Sequence, residues 1–131
     1  MVVYFVAQPP GINCCAQACC AMLSQMSLED ACAEFGHSHS SYTREVIRFL
    51  RNHGYTCPDR LKPVKKDKTN LPDLCILKLR FGELPMGHMV LYHDGVVYDP
   101  SLGKKLLNDY DRVATSCGEI RITSYLPLSR G

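Results

Sequence analysis

The stretch "GHMVLYHDGVVYDP", residues 87–100, decides the fold. Asp94-Gly95 is a turn dipeptide between two runs rich in β-branched and aromatic residues, a strong short-range sign of a β-hairpin. A two-residue turn there sets His93 opposite Val96, Tyr92 opposite Val97, Leu91 opposite Tyr98 and Val90 opposite Asp99. Side chains alternate along a strand, so His88, Val90 and Tyr92 share one face with Val97 and Asp99. His88 and Asp99 are then diagonal neighbours, ~7–8 Å apart between backbones and within reach of each other through their side chains. A carboxylate beside an imidazole fixes the ring tautomer and favours its protonated form. An exposed polar pair at a sheet edge is the plainer alternative. Against it, His88 opens an apolar strand after Met86-Gly87, and Asp99 stands directly before Pro100. His93 lies on the opposite face beside the turn, where a surface role is expected.

Further β-rich segments flank the hairpin, "LCILKLR" (74–80) before it and "EIRITSYLPL" (119–128) after it. The first half of the chain has a different period. Residues 14–26 are nearly all small or apolar, as in a helix buried on every side. "SLEDACAEFG" (27–36) is a second helix, with Ser27 as its cap, Asp30 completing a capping box and Gly36 at the stop. "TREVIRFLRNHG" (43–54) is a third, carrying Val46, Ile47 and Leu50 on one side and ending at Gly54. "VVYFVA" (2–7) reads as a short strand ended by Pro9-Pro10, and residues 57–73 as a polar loop. Helices first and an antiparallel sheet afterwards indicate an α+β fold.

The chain has 131 residues, which suits a single domain spanning 1–131. A net charge of +2 gives no case for a nucleic-acid partner, and the lysine-rich "KPVKKDK" (62–68) reads as a solvated loop. No apolar run approaches the ~20 residues of a membrane span, so no membrane partner is expected. "MVVYFVAQPP" lacks the basic start and long apolar core of a signal peptide. The expected location is therefore cytoplasmic, in the cell of origin or in another cell after delivery without a cleavable signal.

Eight cysteines need a chemical account, four of them between residues 14 and 20. A reducing compartment argues against a disulfide framework, and no Cys-x-x-Cys occurs. A zinc site built from Cys14, Cys19, His37 and His39 is a conceivable structural use. Most of the thiols suit core packing. Cys14 and Cys15 differ from the rest because they fall where the buried helix begins. A helix N-terminus next to a histidine favours a thiolate, and Gln8 upstream can offer a side-chain amide to a developing oxyanion.

Gln, then Cys at a helix start, then His and Asp on paired strands is the order found in papain-like enzymes. "CAQACCAML" (15–23) and "GHMVLYHDGVVYDPSLG" (87–103) resemble the nucleophile helix and the His–Asp hairpin of the bacteriocin-processing, double-glycine leader peptidases and their free-standing relatives. In that register Cys15 takes the nucleophile's place, with Ala18, Ala21 and Met22 matching. Ala16 replaces the family's usual glycine. Gln8 stands seven residues before Cys15, whereas the family's common six-residue spacing selects Cys14, so both cysteines remain candidates, with Cys15 preferred.

The resemblance implies a papain-like cysteine hydrolase acting on a peptide or amide bond. Cys15 would be the nucleophile, His88 the base, Asp99 its orienting carboxylate and Gln8 the oxyanion donor. It implies a protein or peptide substrate and neither metal nor organic cofactor. Deamidases, transglutaminases and peptidoglycan amidases reuse the same triad. A non-catalytic binding module, zinc-stabilised or not, is the reading from a different class.

Overall fold

The structure is a computed structural model describing residues 1–65, 68, 70–81, 87–110, 114–115 and 118–130. Three helices come first: α1 (Cys15–Ser24), α2 (Leu28–Phe35) and α3 (Thr43–Asn52). The short strands β1 (Tyr55–Thr56) and β2 (Lys62–Pro63) follow, then the long β3 (Leu74–Phe81), β4 (Gly87–His93), β5 (Val96–Asp99) and β6 (Gly103–Leu106). After a short helix α4 (Leu107–Tyr110) come β7 (Ala114–Thr115), β8 (Gly118–Pro127) and β9 (Ser129–Arg130). The main sheet is antiparallel in the order β2-β8-β3-β4-β5-β6, with β7 paired to β8, while β1 and β9 pair separately. This is the expected α+β arrangement.

Helix α1 is buried from Cys15 to Leu23, as its lack of a polar face requires. It packs on the sheet face that carries Ile76, Met89, Leu91 and Leu126, with α2 and α3 completing that layer. Its last turn is closed by the Tyr55 hydroxyl, which donates to the Leu23 carbonyl at 2.6 Å. Cys75, Leu77, Leu79, Val90 and Val97 form the opposite face, covered by Leu107 and Tyr110.

Local punctuation follows the sequence closely. The Ser27 hydroxyl accepts from the Asp30 amide at 3.0 Å, and Gly36 adopts φ +84°, the left-handed stop that a Cβ would disfavour. Helix α3 begins where Glu45 accepts from the Tyr42 amide at 2.7 Å. Asp94 and Gly95 both have positive φ, and the hairpin pairs Leu91 with Tyr98, Tyr92 with Val97 and His93 with Val96. That is the expected register.

Two expectations fail. Residues 2–7 form no strand: Val3 and Val6 turn inward at a spacing of three, and a strand would require a spacing of two. The outer edge of β5 pairs with β6, a strand that the sequence reading missed. The loop at 57–73 also contains β2, whose Pro63 is tolerated because it pairs only with β8 at the sheet edge. Met86 before the hairpin, Lys66 and Asp67 of the lysine run, and Cys117 lie outside the described residues.

Candidate active site

Sheet and helix meet where β4 begins. His88 is 5% exposed and Asp99 is fully buried. The His88 Nε2 lies 2.7 Å from Asp99 Oδ1, so the diagonal pair inferred from strand alternation is in direct contact. With Nε2 committed to Asp99, Nδ1 is on the side of the ring toward Cys15, whose sulfur is close enough to help raise the His88 pKa. The Met89 amide points at the Cys15 sulfur from 3.4 Å, while the Met89 carbonyl accepts from the Cys19 thiol at 3.6 Å. One residue of β4 thereby fixes two successive turns of α1, which is why the helix start lies against His88.

Asp99 is held from several directions. Its Oδ1 also accepts from the backbone amides of Ser101 at 2.8 Å and Leu102 at 3.3 Å, and its Oδ2 accepts from the Tyr110 hydroxyl at 2.6 Å. Burial opposes the charge on Asp99, but the His88 contact and these donors outweigh it and hold the carboxyl below its usual range. Burial likewise opposes the imidazolium of His88. The interactions with Asp99 and Cys15 prevail and push its pKa up to about 9. The pair is thus set as carboxylate and imidazolium near neutrality.

Tyr110 was not legible in the sequence, because a lone tyrosine in "LLNDYD" carries no spacing signal. Removing its hydroxyl leaves one oxygen of a buried carboxylate without a donor. Tyr110→Phe is expected to cost ~1–3 kcal/mol of stability in chemical denaturation, more than a surface Tyr→Phe change would. It should also let the Asp99 pKa rise from its lowered value in an NMR pH series, because the Tyr110 hydroxyl is one of the donors that lower it.

Cys14 and Cys15 have different surroundings. Cys14 precedes the helix, is 1% exposed and faces Cys32 of α2, and burial pushes its thiol pKa up. Cys15 is the cysteine that reaches His88. Its backbone amide is in the first helical position, where no intrahelical acceptor exists. Cys19, Cys20 and Cys75 are fully buried, and burial raises each of their pKa values.

Gln8 is tied to the same region. Its backbone amide donates to the Pro100 carbonyl at 2.9 Å, next to Asp99, and its side-chain amide donates to Ile12 O at 3.1 Å. The Gln8 Oε1 is buried with no partner among the described residues. One Nε2 hydrogen has no acceptor among the described residues. Asn13 lies beside Cys15: its Oδ1 is 3.9 Å from the sulfur and its Nδ2 donates to Ser40 Oγ at 2.7 Å. A cleft of about 200 Å³ opens beside these groups, lined by Cys15, Asn13, Ser40, Lys78, Gly87 and Met89 among others.

The zinc quartet is not gathered. His37 bonds Glu45 through Nε2 at 2.8 Å and stacks on His39 at 3.8 Å, and both backbone carbonyls accept from the buried Gln17 amide. No group of three or more His, Cys, Asp or Glu side chains among the described residues is placed to hold a metal ion. His93 is beside the turn, 3.4 Å from Asp94 and away from Cys15. No helix among the described residues is long and apolar enough to cross a membrane.

No protein-family model matches this chain, and no curated protein matches it by sequence. A solved structure does match it: a double-glycine-motif protease from an AMS/PCAT transporter, crystallised in complex with the leader peptide. The two agree with a TM-score of 0.66 over 99% of this chain and 93% of that one, at 20% sequence identity. The resemblance read from the Cys helix and the His–Asp hairpin therefore holds for the fold, and this chain has the papain-like α+β fold of that protease.

Proposed function

We propose that this protein is a cysteine hydrolase of peptide or amide bonds, with Cys15 as nucleophile, His88 as base and acid, Asp99 as the carboxylate that orients His88, and Gln8 as oxyanion donor. The observation that carries the reading is one chain of neighbours: buried Asp99 beside His88, and His88 beside Cys15, the first residue of a buried helix. A structural histidine needs no thiol on its second nitrogen. The peptidase fold adds weight, and the leader peptide bound by the matching protease makes a peptide the favoured substrate class.

With His88 already protonated, the Cys15 sulfur reacts as the thiolate and adds to the substrate carbonyl carbon. The oxygen takes up the negative charge between the Cys15 backbone amide and the remaining Nε2 hydrogen of Gln8. His88 then protonates the departing amine as the C–N bond breaks, leaving a thioester on Cys15. Water, deprotonated by His88, attacks the thioester carbon. The acid product leaves as the sulfur departs as thiolate, and His88 keeps the proton taken from water, which restores the resting pair. Asp99 keeps its charge throughout and holds the ring with Nδ1 toward the sulfur.

Limiting iodoacetamide followed by peptide mapping tests the first step. Cys15 is expected to label about tenfold or more faster than the other thiols at neutral pH, because the thiolate is the reacting form. Uniform slow labelling, or preferential labelling at Cys57 or Cys32, would reject the reading.

A further inference from the structure

One charged side chain lines the cleft beside Cys15 among the described residues: Lys78, in the middle of β3. The rest of that wall is polar but uncharged, from Asn13 and Ser40, or apolar, from Met89. Lys78 is half-buried, and its ammonium has no ion-pair partner among the described residues. Two features of the sheet place it there. The β3–β4 register pairs Lys78 with Met89, so both side chains project from the sheet face that packs on α1. Gly87, immediately before His88, leaves room for the lysine tail: a Cβ on Gly87 would meet Lys78 Cε at 3.0 Å. The glycine at the start of the His88 strand is therefore where the cation crosses toward the thiol.

An unpaired ammonium in a cleft with uncharged hydrogen-bonding neighbours is complementary to a carboxylate. We propose that Lys78 makes this cleft selective for a substrate carrying a carboxylate next to the bond that Cys15 attacks. That carboxylate is either an Asp or Glu side chain or the terminal carboxylate of the peptide. The inference rests on Cys15 being the reacting thiol, and Lys78 is the specificity-determining residue of that same site.

Alkylation of Cys15 by iodoacetate and by iodoacetamide reads the charge of the cleft directly, because the two reagents differ only in a carboxylate and an amide. The rate ratio, iodoacetate over iodoacetamide, is expected to fall roughly threefold or more in Lys78→Met, with Lys78→Gln giving the same change in case one variant folds poorly. Lys78→Arg should keep the wild-type ratio. An unchanged ratio in folded Lys78→Met or Lys78→Gln overturns the assignment. A Cys15 that is slow toward both reagents, with a ratio that still falls on substitution, would count against the hydrolase reading while supporting the carboxylate-selective cleft.

Protection of Cys15 from iodoacetamide separates the two carboxylate sources. An acetylated, amidated peptide with an internal Glu protects if the side chain is read, and a neutral peptide with a free C-terminus protects if the terminus is read. Protection by neither, or equal protection in Lys78→Met, overturns the proposal.

Discussion

Cys15→Ser is expected to abolish hydrolysis of an activated acyl ester by this protein, a loss of about 10⁴-fold or more, with little change in melting temperature. The serine hydroxyl inherits partners at that position, since the Met89 amide and His88 both face it. It does not inherit the nucleophilicity of a thiolate. Cys14→Ser should show the reverse. Its side chain is 1% exposed and faces Cys32, with no hydrogen bond of its own among the described residues. A hydroxyl without a partner there costs ~1–3 kcal/mol, so stability falls while turnover per folded molecule stays near wild type. Full activity in Cys15→Ser together with inactive, folded Cys14→Ser would move the nucleophile one residue back and restore the six-residue spacing from Gln8.

The second large effect is at His88. His88→Ala removes the base and also leaves Asp99 buried beside an empty space, a change of the class that costs ~3–5 kcal/mol. His88→Gln keeps a donor for Asp99 and separates the two effects: activity is expected to fall about 10⁴-fold while most of the stability returns. His93→Ala, on the opposite face beside the turn, should retain activity. Equal losses in folded His88→Gln and His93→Ala would contradict the assignment of His88.

The same residue sets a pH dependence. The folded-state pKa of His88 is raised to about 9 from an ordinary value of 6.5, so its contribution is complete below about pH 6.5 and is lost as the pH rises through about 9. Asp99 is shifted the other way, and its contribution is lost on the acid side, as the pH falls below the ordinary carboxylate range toward its lowered folded value. Together they stabilise the fold most between about pH 4 and 6.5. Melting temperature should fall by several degrees between about pH 6 and pH 9.5 in the wild type, and by clearly less in His88→Gln. Parallel curves for the two proteins would show that the imidazolium contributes nothing.

Much of this was determined locally. Asp94-Gly95 dictates the hairpin turn because both residues tolerate positive φ, and strand alternation then delivers Asp99 to His88 without any knowledge of the rest of the chain. Ser27, Asp30 and Gly36 delimit α2 for equally local reasons, and an all-apolar α1 could only be a buried helix. The choice between Cys14 and Cys15 was different. Consecutive helical residues point about 100° apart, and which one meets His88 depends on the rotation of α1 over the sheet. The Met89 backbone sets that rotation through its contacts with both Cys15 and Cys19, 70 or more residues distant in sequence.

Tyr110 and Lys78 are also tertiary facts. The Tyr110 hydroxyl reaches Asp99 only because α4 folds back across the sheet, and Lys78 meets the cleft only because β3 lies beside β4 in the register that pairs it with Met89. Residues 2–7 show the same division from the other side. Their composition suits a strand, but Val3 and Val6 pack on the helix-side core at a spacing of three, and that burial replaces the alternation a paired strand would need. Local chemistry specified the turns, caps and the His–Asp face of this protein. Its partners across the sheet were decided by which edges and faces the tertiary structure left open, because pairing and burial are properties of two segments at once.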